Sequence, residues 1–277
     1  TPWYHRDRIL PQHSSMLTPL ANRLVALLYI AFVFTSSSVF FLVALLIWLT
    51  TYPFDQRLWL LHQFTCLWAS LYIWVFPPWT VTVTGREHID PARTYIIVSN
   101  HQSLVDILVS FTLFTHFKWV SKSEIFLVPL IGWNMFLNQY VRLDRGSKAS
   151  IKKMYAACSH HLQQGSSVFL FPEGTRSTTG KMRPFKEGAF VLAKRLQLPI
   201  LPIVINGSKH AVPKDSLNFH GRTDVHIEVL EPIEPAMFAD LSASALTLQV
   251  HERIRSRVRE EIAAAASASA PLAANPD

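Results

Sequence analysis

Charge vanishes from this chain over two long stretches and then returns in a regular alternation. From Leu24 to Tyr52, 29 residues pass without an Asp, Glu, Lys or Arg. A second uncharged run, Leu58 to Trp79, carries Trp59, Trp68, Trp74 and Trp79 but also His62, Gln63 and Thr65. Only Pro53-Phe54-Asp55-Gln56-Arg57 separates the two, enough for a tight turn. From about Val81 the pattern changes to short β-branched runs alternating with segments of helical periodicity. The strands expected are Val81–Thr84, Tyr95–Ser99, Lys118–Val120, Gln139–Arg142, Val168–Phe171, Leu201–Ile205 and His226–Leu230. The helices expected are Ser103–Phe114, a broken pair within Ser123–Leu137, Lys148–Gln164, Glu187–Gln197 and Ala243–Ala263. This alternation predicts an α/β fold, a mixed, largely parallel sheet flanked by helices. An N-terminal hydrophobic two-helix membrane hairpin is expected to precede it.

The first run is long enough to cross a bilayer, which takes about 20 apolar residues. It is too long for the core of a cleaved signal peptide, about 7–15 residues. Two readings stay open: a hairpin of two full spans, or one half-buried in a single leaflet, where Trp-rich helices sit well. The alternative is a pair of core helices. Arg6, Arg8 and Arg23 before the hairpin and a basic region after it favour a catalytic domain on the cytoplasmic face. The chain divides into a basic segment (1–23), a membrane-associated hairpin (24–79), a catalytic domain (80–263) and a disordered Ala/Ser/Pro tail (264–277).

Composition sharpens this picture in two places. Charged residues are only 16% of the chain while hydrophobic ones reach 49%, which is low in charge for a soluble enzyme. Between Arg142 and Arg195 stand eleven Lys/Arg against three Asp/Glu, an excess of eight in a chain whose net charge is +7. A basic face suits anionic lipid, phosphorylated substrates or nucleic acid. Nucleic acid is the poorest fit, because the nearby aromatics occupy strand and helix core positions and make no stacking platform. Cys66 and Cys158 are too few and too far apart for a disulfide framework or a zinc site, and no metal is expected.

Candidate chemistry sits at two expected strand ends. His101 and Asp106 follow the strand ending at Ser99, the usual ligand position in open α/β sheets. In one continuous helix, residues five apart point about 140° apart, so the pair can meet only if His101 precedes the helix. Ser103-x-x-Asp106 is also a capping-box pattern, which by itself would make Asp106 structural. A second pair of the same spacing, His210 and Asp215, is interrupted by Pro213 and reads as a loop coincidence. Neutral imidazole suits the removal of a hydroxyl proton, and a carboxylate on its far nitrogen fixes the tautomer. No Gly-x-Ser-x-Gly elbow is present, so direct transfer is expected in place of a covalent acyl-enzyme. The second strand end reads Phe171-Pro-Glu-Gly-Thr-Arg-Ser177. Gly174 permits a turn, and Arg176 can fork a phosphate. Glu173 reads as structural more than catalytic. Lys122, Arg142 and Arg145 are further anion candidates.

At these residues the chain resembles the glycerolipid acyltransferase family over roughly Val81 to Pro232. Four blocks match in order: Asn100, His101 and Asp106; Lys122 through Pro129 and Gly132 to Arg145; Phe171 to Ser177; and Leu201-Pro202-Ile203-Val204. Phe185-Lys186-Glu187-Gly188 has the same character. The resemblance implies His101 as general base with Asp106 as its partner. It implies acceptor binding by Glu173, Gly174, Thr175 and Arg176 with Lys122 and Arg142 or Arg145, and an acyl pocket at Leu201, Pro202, Ile203 and Val204. The implied reaction is acyl transfer to the free sn-2 hydroxyl of lysophosphatidic acid, or to another lysolipid such as lyso-ornithine lipid. The implied donor is acyl-coenzyme A or acyl-acyl carrier protein, with no further cofactor.

Overall fold

The computed structural model describes residues 19–75, 79–176, 181–211 and 223–259. The expected tail at 264–277, the end of the last helix beyond residue 259, Asp215 and most of the basic N-terminal segment lie outside these residues.

Helix α1 (Pro19–Thr51) runs for 33 residues without a glycine or an internal proline, about 50 Å at 1.5 Å per residue. Several of its hydroxyls are satisfied within the helix: Ser36 donates to Phe32 O, Ser38 to Phe34 O and Thr51 to Ile47 O. Such self-satisfaction is what apolar surroundings demand of a polar side chain. Asp55 in the following turn accepts the Leu60 N–H and starts helix α2 (Trp59–Trp74), which returns antiparallel along α1.

The sheet contains seven strands: β1 (Trp79–Thr84), β2 (Ile96–Ser99), β3 (Phe117–Lys122), β4 (Val141–Leu143), β5 (Ser167–Leu170), β6 (Ile200–Asn206) and β7 (Thr223–Val229). Their order is β1-β7-β6-β2-β5-β3-β4, parallel throughout except at β6/β7. All seven expected strands form, with ends shifted by at most three residues. The helices are α3 (Val105–Phe111), α4 (Ile131–Leu137), α5 (Lys148–Gln163), α6 (Gly188–Leu196) and α7 (Ala243–Arg255). The broken pair expected within Ser123–Leu137 is a 3₁₀ turn, Ser123–Leu127, followed by α4.

Alternation along the strands separates two cores. Ile97, Phe169, Leu201 and Ile203 face α2 and α3, while Ile96, Val98, Val168 and Val204 face α5, α6 and α7. Outside α2 lies α1, touching it through Val33, Phe40, Ala44 and Ile47 around Leu61, Trp68 and Tyr72. The layers are therefore α5/α6/α7, sheet, α2/α3 and α1.

This layering corrects the expected two-helix membrane hairpin. Among the described residues, only the stretch Leu27–Thr51 of α1 is long and apolar enough to cross a membrane, and it is largely exposed. Helix α2 has 16 residues, nine of them buried, with Cys66, Ala69 and Ile73 in the core under the sheet. It is a core helix on that side. Two of its polar residues face inward with distant partners. His62 joins Thr115 O and the Tyr140 hydroxyl, each at 2.9 Å. Thr65 accepts from Asn134 and Asn138. Absence of charge does not distinguish lipid from protein interior, and inward hydrogen bonding is what separated the two helices.

Candidate active site

The helix after β2 goes to one face of the sheet and the helix after β5 to the other, as α3 and α6 belong to opposite cores. Since β2 and β5 are neighbours, a crevice opens outside their C-terminal ends, the usual ligand position in such sheets. Asn100 closes the end of β2. Its Nδ2 donates to Ile205 O and its Oδ1 accepts the Ile205 N–H, each at 2.8 Å. The chain then turns, and His101 enters the crevice.

Asp106 Oδ2 holds that turn. It accepts from the backbone N–H groups of Gln102 at 2.6 Å and Ser103 at 2.8 Å, and from His101 Nδ1 at 2.8 Å. Helix α3 begins at Val105, so Asp106 is its second residue, one earlier than the capping pattern implied. The Ser103 hydroxyl accepts the Val105 N–H at 3.3 Å. Asp106 thus holds the turn that leads into the helix and fixes the imidazole. It is fully buried, and its Oδ2 takes all three of these hydrogen bonds. With Nδ1–H committed, His101 Nε2 is the basic nitrogen, and it has no protein partner among the described residues.

The second block meets the first across β2/β5. Phe171 stacks on the His101 ring, centroids 4.0 Å apart and planes 11° from parallel, and Trp119 stacks behind Phe171 at 5.3 Å. Glu173 is buried, and its carboxylate binds backbone: Oε1 accepts the His101 N–H at 2.7 Å and Oε2 the Arg183 N–H at 2.9 Å. Burial pushes its carboxyl above the ordinary value, against the pull of those donors. Gly174 has φ +73°, and a Cβ there would lie 2.9 Å from Lys186 Nζ. The Lys186 N–H donates to Pro172 O at 2.9 Å, which keeps that lysine over the turn. Thr175 and Arg176 follow, both half-buried.

The remaining candidates spread along the same edge. Lys122 ends β3, two strands from β2, and pairs with Glu124 at 2.6 Å. Arg142 lies on β4, three strands away, and Arg145 just beyond it; both are exposed. At about 4.8 Å per strand these offsets are roughly 10 and 15 Å. Leu201, Pro202, Ile203 and Val204 form the middle of β6, buried throughout. Leu201 and Ile203 face the α2/α3 core and Val204 the opposite one, so the four do not share a face.

The acyltransferase family profile matches residues 80–206. A 1-acyl-sn-glycerol-3-phosphate acyltransferase of Chlamydomonas reinhardtii is 32% identical over 266 residues, 95% of this chain and 78% of the relative. The chain belongs to the glycerolipid acyltransferase family. A chloroplast 1-acyl-sn-glycerol-3-phosphate acyltransferase of Brassica napus is 35% identical over 198 residues, 69% of this chain; the match spans 57% of that relative's length. The crystal structure of a 1-acyl-sn-glycerophosphate acyltransferase from Thermotoga maritima superposes with a TM-score of 0.68 over 85% of this chain and 95% of the other. At 24% identity that likeness concerns the fold.

Three features of this acyltransferase site were not read from the sequence: the Phe171 platform, the Glu173 bridge to the His101 backbone, and Lys186 over the glycine turn. The first two depend on β2 and β5 being neighbours, although some 70 residues separate them. Phe185-Lys186-Glu187-Gly188 was the one available signal for the third.

Proposed function

We propose that the protein transfers a fatty acyl group from an acyl thioester to the sn-2 hydroxyl of lysophosphatidic acid, giving phosphatidic acid. The observation that carries this reading is His101, with Nδ1 tied to Asp106 and Nε2 open. Nε2 accepts the hydroxyl proton as the oxygen attacks the thioester carbonyl. The tetrahedral intermediate collapses, the carbon–sulfur bond breaks, and the imidazolium returns the proton to the departing thiolate. Asp106 stabilises the imidazolium in between. General base catalysis of this kind contributes roughly 10²–10⁴-fold. Glu173 contributes by fixing the His101 backbone.

Arg176, on the turn after β5, is the phosphate ligand favoured by nearness to His101. Lys122 stands second, and Arg142 and Arg145 serve a more distant anion, such as the phosphates or acidic surface of acyl-coenzyme A or acyl carrier protein. Leu201 to Val204 support the acyl chain from within the sheet. Helix α1 is the membrane-associated part, and the catalytic domain of residues 80–263 is packed against the core helix α2.

The enzyme sits on the cytoplasmic face, with α1 in one leaflet. What supports this seating is the length over which α1 lies against the α/β body. Tyr29 donates to Tyr72 O and packs on Trp79, and Phe41 packs on Trp133. The turn after α1 receives Lys118 Nζ at Arg57 O. Tyr29 to Thr51 covers about 33 Å, as long as the hydrocarbon core is thick. A perpendicular crossing would carry the flank of the sheet into the hydrocarbon.

The purified protein in detergent, given lysophosphatidic acid and either donor, tests the chemistry. His101→Ala should lose at least a hundredfold in turnover while still binding lipid, and Arg176→Ala should hurt phosphate-bearing acceptors most. Undiminished turnover by His101→Ala would remove the assignment.

A further inference from the structure

We infer that the segment Ile125–Val141 is a second lipid-contacting element, seated in the same leaflet as α1. This rests on the membrane seating proposed above but not on the identity of the reaction. The segment has 17 residues and no charge. Its polarity is inside out. Asn134 and Asn138 turn inward and donate to Thr65 on α2 at 3.1 and 3.0 Å. Leu127, Ile131, Trp133 and Phe136 turn outward, 71, 43, 49 and 53% exposed. A water-facing amphipathic segment has the opposite arrangement, since burial of the apolar side drives its packing.

Continuity identifies what covers this face. Trp133 packs edge-on against Phe41 of α1, centroids 5.5 Å apart, so the outward face of α4 joins the exposed surface of the one membrane-type helix among the described residues. Charge complements it. Immediately after the segment come Arg142, Arg145, Lys148, Lys152 and Lys153, all exposed, against Asp144 alone. Such cations are attracted to an anionic leaflet. Apolar residues ended by a basic border, with a tryptophan among them, match a leaflet's hydrocarbon and headgroup levels.

The placement matters for access. The segment leaves β3 at Lys122 and returns to β4, both at the sheet edge that carries His101. Seating it in lipid holds that edge at headgroup depth, where a lysolipid's hydroxyl and phosphate lie, so the acceptor enters sideways without leaving the membrane.

Spin labels test this directly. Cys66 and Cys158 are buried, so an introduced thiol is labelled selectively. Labels go on Phe136→Cys, on Leu42→Cys of α1 and on Leu248→Cys of α7, which is exposed on the far side of the sheet. In vesicles of phosphatidylcholine and phosphatidylglycerol, the 136 label should resemble the 42 label, relaxed more by oxygen than by a water-soluble nickel chelate. The 248 label should show the reverse. A 136 label that behaves like 248, or is shielded from both relaxants as in a protein contact, overturns the inference. A 42 label in water removes the seating of α1 and the inference with it. These readings need no turnover, so failure of the proposed reaction leaves them intact. In parallel, the Leu127→Asp/Phe136→Asp variant should lose at least tenfold in turnover of vesicle-borne acceptor, with a soluble short-chain acceptor unaffected. Equal turnover on vesicles would contradict it.

Discussion

Helices α1 and α2 are neighbours in sequence, α1 uncharged beyond Arg23 and α2 uncharged throughout, yet one is largely exposed and the other largely buried. Helix α1 exposes Leu27, Leu28, Phe34, Leu42 and Leu46 and keeps its hydroxyls bonded to itself or to α2. Helix α2 buries nine of its sixteen residues and bonds His62 and Thr65 to distant parts of the chain. The difference teaches that polar side chains, more than apolar ones, reveal which solvent a hydrophobic helix meets. A hydroxyl bonded to its own helix backbone suits lipid. A histidine bonded across 78 residues, as His62 is to Tyr140, marks a protein interior.

The contrast is broken most severely by placing a charge on each helix. Ala69→Asp buries an unpaired carboxylate between α2 and the sheet, at a cost of roughly 3 kcal/mol or more. It should yield no cooperative thermal transition in detergent. Leu42→Asp on α1 should keep the wild-type melt and lose vesicle flotation instead. A stable Ala69→Asp protein would mean that α2 is not a core helix.

The next largest effect concerns Lys118, which is almost wholly buried. It donates to Arg57 O and Asn138 O, at 2.8 and 2.9 Å, locking the α1–α2 turn and the end of α4 to β3. Burial pulls its amine from 10.5 down to about 7. Between those values the unfolded chain holds a proton that the folded chain has released, so stability should rise with pH across about 7 to 10.5. The slope is at most about 1.4 kcal/mol per pH unit. Lys118→Met should flatten that rise in urea titrations, and an unchanged slope would assign it to other groups.

The smallest effect sharpens the role of His62. Its Nε2 faces a carbonyl and must donate, so Nδ1 accepts from the Tyr140 hydroxyl. Burial holds this imidazole neutral, its value lowered to about 3. Tyr140→Phe leaves Nδ1 buried and unpaired and should cost about 1–3 kcal/mol in denaturant unfolding, with turnover per folded molecule preserved.

Legibility followed the range of the interactions involved. The seven strands were readable because each is a short β-branched run between turn residues. The shift of β4 from Gln139–Arg142 to Val141–Leu143 reflects one backbone choice, Gln139 at φ +54°, which turns the chain before pairing begins. His101 and Asp106 were readable because a five-residue separation across a helix start is local geometry. The bridge from Glu173 to the His101 backbone was not, because it requires β5 to insert between β2 and β3, against their order in the chain.

By itself, the sequence determined where charge is missing, where strands and helices lie, and which imidazole has a carboxylate within reach. Those properties are set by residues a few positions apart. Tertiary structure decided which apolar helix stays exposed, how Phe171 comes to stack on His101, and what the Glu173 carboxylate binds. Water rejects apolar surface without choosing its destination, so a buried or lipid-covered fate is fixed only when the rest of the chain packs against it.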